Sequence, residues 1–271
     1  MDLTAYDRVQ IARDANRPKI YDFIEMLFDD FIELKGDRLG FEDKAILGGV
    51  ALYHGKPVTV IGHRKGRDLE ENVMCNFGMP EPEGYRKAIR LMEQAEKFGR
   101  PVITFVDTPG AYPGIQAEEN GQSIAIAESI AKMSSLKVPV ITVITGEGNS
   151  GGALAIAVGN TVIMLENAVY SILSPEGFAS ILWKDSGESA KACELMKMTA
   201  DELLEFKIID EIVREPEGGI TNKSKETFRQ LDRLIYKELV KYGKMSEQSI
   251  VKNRYQKFRK IDEEFGMIKK E

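Results

Sequence analysis

The chain has 271 residues, of which 43% are hydrophobic and 30% are charged, as in an ordinary soluble globular protein. Its net charge of −6 argues against nucleic acid as the main partner, because binding DNA or RNA requires a basic face. No stretch reaches the length of a membrane span, and the polar first residues contain no apolar signal core. We therefore expect a cytoplasmic protein without membrane association.

The cysteines and histidines indicate neither a metal site nor disulfide bonds. Two residues of each type, far apart along the chain, do not supply the ligand spacing of a structural zinc site. Cys75 and Cys193 have no C-x-x-C companion and are predicted to be buried, reduced thiols. No metal is expected on this chain.

The first hundred residues alternate between helical and β-like patterns. Apolar residues at helical spacing predict amphipathic helices, and two β-like runs joined by a short polar connection containing glycine predict a hairpin. The predicted elements are, in order, a helix over 18–34, strands over 45–53 and 57–62, a polar loop over 65–72 and a helix over 82–98.

Beyond residue 100, short buried strands alternate with helices. This alternation favours right-handed crossovers and a parallel sheet that is covered on both faces. The charged, periodic tail is predicted to form one or two surface or interface helices. The predicted elements are strands over 102–106 and 138–144, helices over 121–135 and 153–158, strands over 161–165, 168–172 and 208–213, and the tail over 223–268.

Two glycine-rich loops, Asp107–Gly114 and Gly146–Gly152, each follow a buried strand. Glycine lets the backbone approach a ligand closely, and the first N–H groups of a helix suit an oxygen that develops negative charge. We therefore expect the two loops to converge on one carbonyl oxygen. The alternative is that both are tight turns between strand and helix.

The string G-N-S-G-G over 148–152 matches the spacing of a serine nucleophile elbow. Such a serine needs a histidine base oriented by a carboxylate. Only His54 and His63 are present, and both precede Ser150, whereas α/β-hydrolases and ClpP-like peptidases place the histidine after the serine. Ser150 is therefore predicted to close the turn or cap the helix.

Two further segments have competing interpretations. Arg64, Lys65 and Arg67 form a basic cluster that is predicted to be solvated surface charge, with contact to a phosphate or carboxylate as the alternative. Phe77 and Met79 are predicted to be core residues. Neither a P-loop nor a strand-linked G-x-G-x-x-G pattern occurs, so the sequence does not predict nucleotide binding.

Long strings match one protein family in collinear order over about residues 1–240. They include GDRLGFEDKAILGG (36–49), NFGMPEPEGYRKAIRLM (76–92), TFVDTPGAYPG (104–114) and TGEGNSGGALAIAVGN (145–160). These strings closely resemble the carboxyltransferase alpha subunit of multi-component acetyl-CoA carboxylase. The resemblance implies an α/β crotonase fold, a spiral of ββα units, in a single domain over 1–271. Its implied parts are an N-terminal helical segment (1–35), the crotonase core (36–220) and a C-terminal helical extension (221–271).

The resemblance also implies a reaction and a set of partners. With a beta subunit, in an α2β2 heterotetramer, the alpha subunit transfers a carboxyl group from carboxybiotin on the biotin carboxyl carrier protein to acetyl-CoA. The product is malonyl-CoA for fatty acid biosynthesis, and biotin carboxylase is a further partner. No cofactor is expected to bind directly to this chain, and zinc is expected only on the beta subunit.

Site residues follow from the same resemblance. The N–H groups of Gly151, Gly152 and Ala153 are expected to bind the ureido oxygen of biotin, with Gly110 and Ala111 contributing from the first loop. Fixed N–H donors stabilise the negative charge on that oxygen. The biotin nitrogen can take the methyl proton of the acceptor, so no side-chain base is required. Substrate-binding roles are assigned to Tyr112, Pro113, Gly114, Gly148 and Ser150.

Three alternative functions remain open at this point. A stand-alone crotonase, such as a hydratase or decarboxylase, would use a side-chain acid or base, for which Glu147 is the local candidate. A carboxyltransferase acting on propionyl-CoA is chemically closer. The third alternative is a non-catalytic regulatory or scaffolding subunit.

Overall fold

A computed structural model describes residues 3–264, and residues 265–268 of the predicted tail lie outside this range. The described chain forms an eight-stranded sheet. Its strands are β1 (Asp29–Glu33), β2 (Ile46–Tyr53), β3 (Lys56–His63), β4 (Val102–Thr108), β5 (Val140–Asn149), β6 (Thr161–Leu165), β7 (Val169–Ser171) and β8 (Glu211–Val213).

Helices occupy the connections and the C-terminal part of the described chain. Short 3-10 turns cover Asn76–Gly78 and Ser186–Glu188. The α-helices are α1 (Ala5–Ala12), α2 (Ile20–Leu27), α3 (Leu69–Met74), α4 (Pro82–Lys97), α5 (Ile115–Glu119), α6 (Gln122–Ser135), α7 (Ser150–Leu154), α8 (Pro175–Trp183), α9 (Ser189–Met196), α10 (Ala200–Glu205), α11 (Lys225–Tyr242) and α12 (Glu247–Glu264).

The sheet order is β1-β2-β3-β4-β5-β6-β8, and β7 also pairs with β5. β1, β2 and β3 pair antiparallel, whereas the pairs from β3 onwards are parallel. Every residue of β4 and β5 is buried, as expected for parallel strands covered on both faces. The predicted hairpin and parallel sheet are confirmed.

The predicted helix over 18–34 is wrong in its second half. α2 ends at Leu27, and Asp29–Glu33 forms the edge strand β1. Two consecutive aspartates are poor residues for a helix interior, and the backbone of β2 offers free partners at its edge. Gly49 makes this pairing close, because a Cβ at Gly49 would lie only 2.9 Å from the carbonyl carbon of Ile32.

The second glycine-rich segment is mostly strand rather than loop. β5 continues to Asn149 and pairs with β7 through Glu147, Gly148 and Asn149. The helix then begins at Ser150, earlier than the predicted 153–158. Glycines usually mark loops, but here Gly148 serves close packing, because a Cβ would lie 2.9 Å from the ring of Tyr170.

The C-terminal helices are more than surface extensions. α11 places Phe228, Leu231 and Ile235 in the main hydrophobic core. On α12, the guanidinium of the buried Arg254 donates to the carbonyl oxygens of Leu136 (2.8 Å) and Val138 (3.0 Å) and to Asn160 Oδ1 (2.6 Å). The predicted helices are therefore confirmed, but α12 also fixes the connection that leads into β5. The division into 36–220 and 221–271 stays a prediction.

Smaller predictions can be compared with the structure directly. Cys75 and Cys193 are buried free thiols, as predicted. The polar loop over 65–72 is partly helical, because Asp68 caps α3 by accepting from the N–H of Glu71 (2.8 Å). Among residues 3–264, no helix combines the length and apolar character needed to cross a bilayer.

Candidate functional site

The two glycine segments meet at Gly152. Because β4 and β5 are parallel neighbours, their carboxyl ends lie at the same edge of the sheet, where ligands bind in open α/β sheets. A Cβ at Gly152 would clash with the backbone nitrogen of Ala111 and would lie 2.6 Å from the carbonyl carbon of Gly110. Glycine is therefore required at position 152 if the segments are to touch.

The second segment presents the start of α7. Ser150 is its first residue, and the preceding Asn149 makes no side-chain capping hydrogen bond. The first N–H groups of a helix have no acceptor within the helix, and here those groups include Gly151 and Gly152. Ala153 lies one residue further into the helix, beyond the first N–H groups that have no acceptor within it. Gly151 and Gly152 are therefore the better placed donors.

The first segment is held by a local hydrogen-bonded turn. The N–H of Gly110 donates to Thr108 Oγ1 (3.0 Å), and that hydroxyl donates to the carbonyl oxygen of Gly110 (2.7 Å). Gly110 has φ 144°, a conformation that glycine adopts readily. Since its N–H is already engaged, the N–H of Ala111 is the first segment's donor nearest to Gly152.

The next residues of the first segment fix its position. The N–H of Tyr112 donates to the carbonyl oxygen of Pro80 (2.9 Å), and Gln122 Nε2 donates to the carbonyl oxygen of Tyr112 (3.0 Å). The ring of Tyr112 lies over Gly114, while Pro113 is exposed. The contacts of Tyr112 anchor the loop to α6 and to Pro80, two residues before α4.

Gly148 and Ser150 have different surroundings. A Cβ at Gly148 would meet the side chains of Tyr170, Ile144 and Val106, so this glycine packs inside the sheet rather than facing a ligand site. Ser150 is exposed, has φ 59° and lines a cavity of about 670 Å³. The cavity wall is largely apolar and includes Gly151, Leu154, Tyr170, Ile172, Phe178 and Leu203.

The positive φ of Ser150 resembles that of a nucleophile elbow, but no histidine serves it. His54 Nε2 contacts Asp232 Oδ1 (2.9 Å) beyond the hairpin. His63 is buried, and neither ring nitrogen has a hydrogen-bond partner among residues 3–264. The geometry agrees with the prediction that Ser150 closes the turn.

Two buried polar side chains lie against Gly152. Burial lowers the pKa of His63 to about 4, despite the opposing effects of the Asp107 charge and of the nearby Gly152 backbone, which does not reach hydrogen-bonding geometry with either ring nitrogen. The hydroxyl oxygen of Tyr85 would lie 3.0 Å from a Cβ at Gly152 and has no partner in the described residues. A buried polar group without a partner costs about 1–3 kcal/mol, so the site retains groups that do not favour folding.

Below the first segment lies an ionic cluster centred on Lys65. Its ammonium donates to Asp107 Oδ1 (2.6 Å) and Glu147 Oε2 (3.2 Å). Burial alone would lower the pKa of Lys65 and raise that of Asp107, but their attraction outweighs burial, so the pKa of Lys65 is raised and that of Asp107 lowered. The interpretation of Lys65 as solvated surface charge is therefore wrong, because its partners come from distant strands.

Glu147 is held by two cations and is poorly placed to act as a base. Arg13 Nε donates to Glu147 Oε1 (2.8 Å), while Lys65 occupies Oε2. Arg13 also pairs with Glu176 (2.7 Å). This arrangement disfavours the stand-alone crotonase alternative, which depended on Glu147.

Comparison with known proteins assigns the family. Residues 1–262 match the family described as acetyl co-enzyme A carboxylase carboxyltransferase-like. The chain belongs to this family. The family predicted from the collinear strings is thereby confirmed, and the chain is a carboxyl transferase.

Relatives of this carboxyltransferase chain are similar over nearly its whole length. The acetyl-coenzyme A carboxylase carboxyl transferase subunit alpha of Shouchella clausii is 54% identical over 260 residues, covering 96% of this chain and 80% of that protein. The protein of the same name from Listeria welshimeri is 53% identical, covering 96% of this chain and 82% of its own. The predicted function as a carboxyltransferase alpha subunit is confirmed at this level.

Solved structures show the same fold at low sequence identity. Transcarboxylase 12S has a TM-score of 0.66 and 20% identity, covering 86% of this chain and 43% of its own. The beta subunit of Pseudomonas aeruginosa geranyl-CoA carboxylase has a TM-score of 0.64 and 14% identity, covering 86% and 44%. The predicted crotonase-like fold of the carboxyltransferase is confirmed.

Sequence reasoning missed several residues around the carboxyltransferase site. Tyr85 belongs to the apolar stripe of the predicted helix over 82–98 and was indistinguishable from other core residues. The sequence presents His63 only as a candidate base or metal ligand. It shows Lys65 as a member of the basic cluster and gives no signal for Arg13, because the carboxylate partners of both residues lie far along the chain. Arg67 is the exception, since its side chain is 58% exposed, as the surface-charge interpretation predicted.

Proposed function

We propose that the N–H groups of Gly151, Gly152 and Ala111 hold the ureido oxygen of carboxybiotin during transfer of its carboxyl group to acetyl-CoA, giving malonyl-CoA. The observation that carries this proposal is the contact between the two glycine segments, in which a Cβ at Gly152 would clash with the nitrogen of Ala111. Donors on two segments that are fixed against each other stabilise negative charge without reorganising during the reaction.

The surroundings of these donors fit a biotin-borne carboxyl group. Ser150 and Gly151 line the apolar cavity of about 670 Å³, which offers an apolar surface to the bicyclic part of biotin. Carboxybiotin supplies the carboxyl group and a ring nitrogen that can take the proton of the acceptor. The chain's own residues then bind and orient the donor and exclude water, and Glu147, held by Arg13 and Lys65, is not needed as a base.

The proposed reaction requires other subunits. We assign the acyl-CoA and the zinc to a carboxyltransferase beta subunit in an α2β2 assembly, and the biotin to a separate carrier protein that biotin carboxylase charges. Support comes from the names of the relatives, which are subunits of acetyl-coenzyme A carboxylase. In this proposal the assembly works in the cytoplasm and supplies malonyl-CoA for fatty acid biosynthesis.

The first experiment measures malonyl-CoA formed from carboxybiotin and acetyl-CoA by the chain alone, by its beta subunit alone and by the two together. We expect product only from the pair. Hydration or decarboxylation of an acyl-CoA by the chain alone would instead identify a stand-alone crotonase. Greater activity with propionyl-CoA would move the proposal to a propionyl-CoA carboxyltransferase. A pair that assembles but transfers no carboxyl group would favour a regulatory or scaffolding role.

The second experiment tests the glycine contact itself. In Gly152→Val the new side chain separates the two segments, and loss of one such donor typically lowers the turnover rate about 100- to 1,000-fold. The control is Gly243→Ala at the end of α11, where the backbone already has φ −62°. Assembly with the beta subunit, measured by size-exclusion chromatography, should remain. Loss of assembly together with activity in Gly152→Val would undo the inference.

A further inference from the structure

A second cavity, of about 300 Å³, lies at the carboxyl ends of β4 and β5 beside the first glycine segment. Pro109 forms part of its wall, directly before Gly110 of the candidate site. The charged side chains that line the cavity are four cations and one carboxylate: Arg13, Lys19, Lys65, Arg67 and Glu147. The wall is therefore predominantly cationic, and its position at the sheet edge is one where ligands bind in open α/β sheets.

The two inner cations are already neutralised. Lys65 pairs with Asp107 and Glu147, and Arg13 pairs with Glu147 and Glu176. A structural role explains these four contacts, because Lys65 ties the end of β3 to β4 and β5, and Arg13 ties the end of α1 to β5 and α8. This role does not explain Lys19 and Arg67, the other two cations on the cavity wall.

Lys19 is a half-buried cation without a carboxylate at contact distance. Within residues 3–264 no carboxylate oxygen lies within 4.0 Å of its ammonium, which donates only to the carbonyl oxygen of Asp14, at 3.3 Å. Burial lowers the pKa of Lys19, and the positive charges of Lys65 and Arg17 add to this, while Asp107 opposes it. Buried charges in proteins are normally paired, so an anion at this position would stabilise the ammonium.

Arg67 stands at the mouth of the same cavity with little charge compensation. Its nearest carboxylate oxygen, on Asp22, is 3.9 Å away. Its guanidinium lies over the ring of Tyr21, 4.8 Å from the centroid, and this contact orients it. A guanidinium held in this way can bind both oxygens of a carboxylate or phosphate group.

Phe77, also on the cavity wall, is presented by a strained turn. Asn76, Phe77 and Gly78 all have positive φ, of 46°, 55° and 80°. A non-glycine residue in this conformation costs about 1–3 kcal/mol. The prediction of Phe77 as a core residue is wrong, because 46% of it is exposed. Strain that exposes an apolar ring beside a cationic cavity is typical of a ligand site rather than of a packing requirement.

We infer that this cavity is an anion-binding subsite, in which Lys19 and Arg67 hold one carboxylate or phosphate group of a ligand. This inference depends on the proposed function only in the choice of ligands for the test. Carboxylate and phosphate groups both occur among the proposed substrates and products. Lys19 and Arg67 would hold either group through the same kind of charge-assisted contact. The experiment distinguishes a carboxylate from a phosphate.

The test is calorimetric titration of the full chain, and of its assembled complex with the beta subunit, with inorganic phosphate, malonate and CoA in turn. The variants are Lys19→Gln, Arg67→Gln and the double change. The control is Lys56→Gln with Arg229→Gln, which removes two exposed cations that are not among the residues lining the cavity. We expect at least one probe to bind and each single change to weaken it about tenfold, the effect of losing one charge-assisted contact.

The outcomes separate the anion source and the two proposals. Binding of phosphate and CoA but not malonate identifies a phosphate group, and binding of malonate alone identifies a carboxylate. The inference is overturned if no probe binds to either the chain or the complex, or if the double variant binds as tightly as the control. Carboxyl transfer is assayed separately. The proposed function can therefore fail while charge-dependent anion binding persists, and anion binding can fail while carboxyl transfer persists.

Discussion

Lys65 beside the glycine segments, with a side chain that is 14% exposed, and the buried Arg254 on α12 are two cations with different partners. Lys65 is neutralised by the carboxylates of Asp107 and Glu147. Arg254 donates to carbonyl and amide oxygens, and no carboxylate of the described chain lies within ion-pair distance. The pKa of Lys65 is raised, whereas burial lowers that of Arg254 to about 10.

The difference reflects what each region does. Carbonyl oxygens belong to the backbone, so Arg254 ties the Ser134–Val138 connection into one conformation. The carboxylates around Lys65 belong to side chains whose charge depends on protonation. Their charge also influences the cavity of about 300 Å³ that Lys65 and Glu147 line. One region therefore serves rigidity alone, while the other also sets an electrostatic environment. Four substitutions test this contrast and the polar groups beside it.

The largest effect is expected for Arg254→Met. The substitution keeps much of the apolar packing but leaves the carbonyl oxygens of Leu136 and Val138 buried without donors. Hydrogen bonds to a charged group contribute about 1.5–3 kcal/mol each, so we expect the free energy of unfolding to fall by about 4 kcal/mol, measured by denaturant titration. Arg259→Met, an exposed arginine on the same helix, is the control. Equal losses in both variants would remove the rigidity role.

Lys65→Met is expected to cost about 3 kcal/mol at neutral pH, because it leaves the buried carboxylate of Asp107 without its cation, while Glu147 keeps its ion pair with Arg13. Lowering the pH should recover part of this loss, since the unpaired carboxylate of Asp107 can then take a proton. Arg254→Met leaves carbonyl oxygens without donors, and these do not take protons in this pH range. Its loss of stability should therefore not be recovered at lower pH. Denaturant titrations of both variants between pH 5 and 8 test the contrast, and parallel pH profiles would contradict it.

His63 should make stability depend on pH. Its pKa falls from the usual 6.5 to about 4 on folding, so the unfolded state binds more protons between these values. Stability from this group is complete above pH 6.5 and is lost as the pH falls towards 4, by about 3 kcal/mol in total. The comparison is wild type against His63→Leu over this range. An unchanged slope in the variant would show that His63 is not the titrating group.

The smallest effect is expected for Tyr85→Phe. It removes a buried hydroxyl that has no partner in the described residues, so the free energy of unfolding should stay constant or rise by up to about 1 kcal/mol. Thermal unfolding of the variant and the wild type measures this. A clear loss of stability would mean that the hydroxyl is bonded in solution.

Local patterns predicted much of the fold. The hairpin and helices α4 and α6 begin and end within one or two residues of their predicted limits, because hydrophobic spacing and glycine stops act locally. β1 was missed because its partner is β2, whose edge no local pattern around Asp29 can reveal. The extension of β5 was missed because its glycines permit close packing against Tyr170, which only the assembled sheet shows.

The candidate site was predictable only where its features are local in the sequence. The resemblance located the glycine segments, and the chain order of strands explains why they meet. The burial of Lys65 depends on Asp107 and Glu147, which are 42 and 82 residues away in the chain. Charge patterns near Lys65 contain no information about these partners. The engaged N–H of Gly110 likewise depends on the local rotamer of Thr108, which the residue type alone does not determine.

The position of Arg254 in the chain also has a consequence for biosynthesis. Arg254 follows Asn160, one of its acceptors, by 94 residues. At about 5–20 residues per second, the ribosome needs roughly 5–20 s to reach it after Asn160 is made. The strand β5, which leads to Gly152, therefore leaves the ribosome well before α12, the helix that fixes the connection into β5. We expect nascent chains ending before α12 to remain sensitive to protease near 134–138, and to acquire resistance only once α12 has docked.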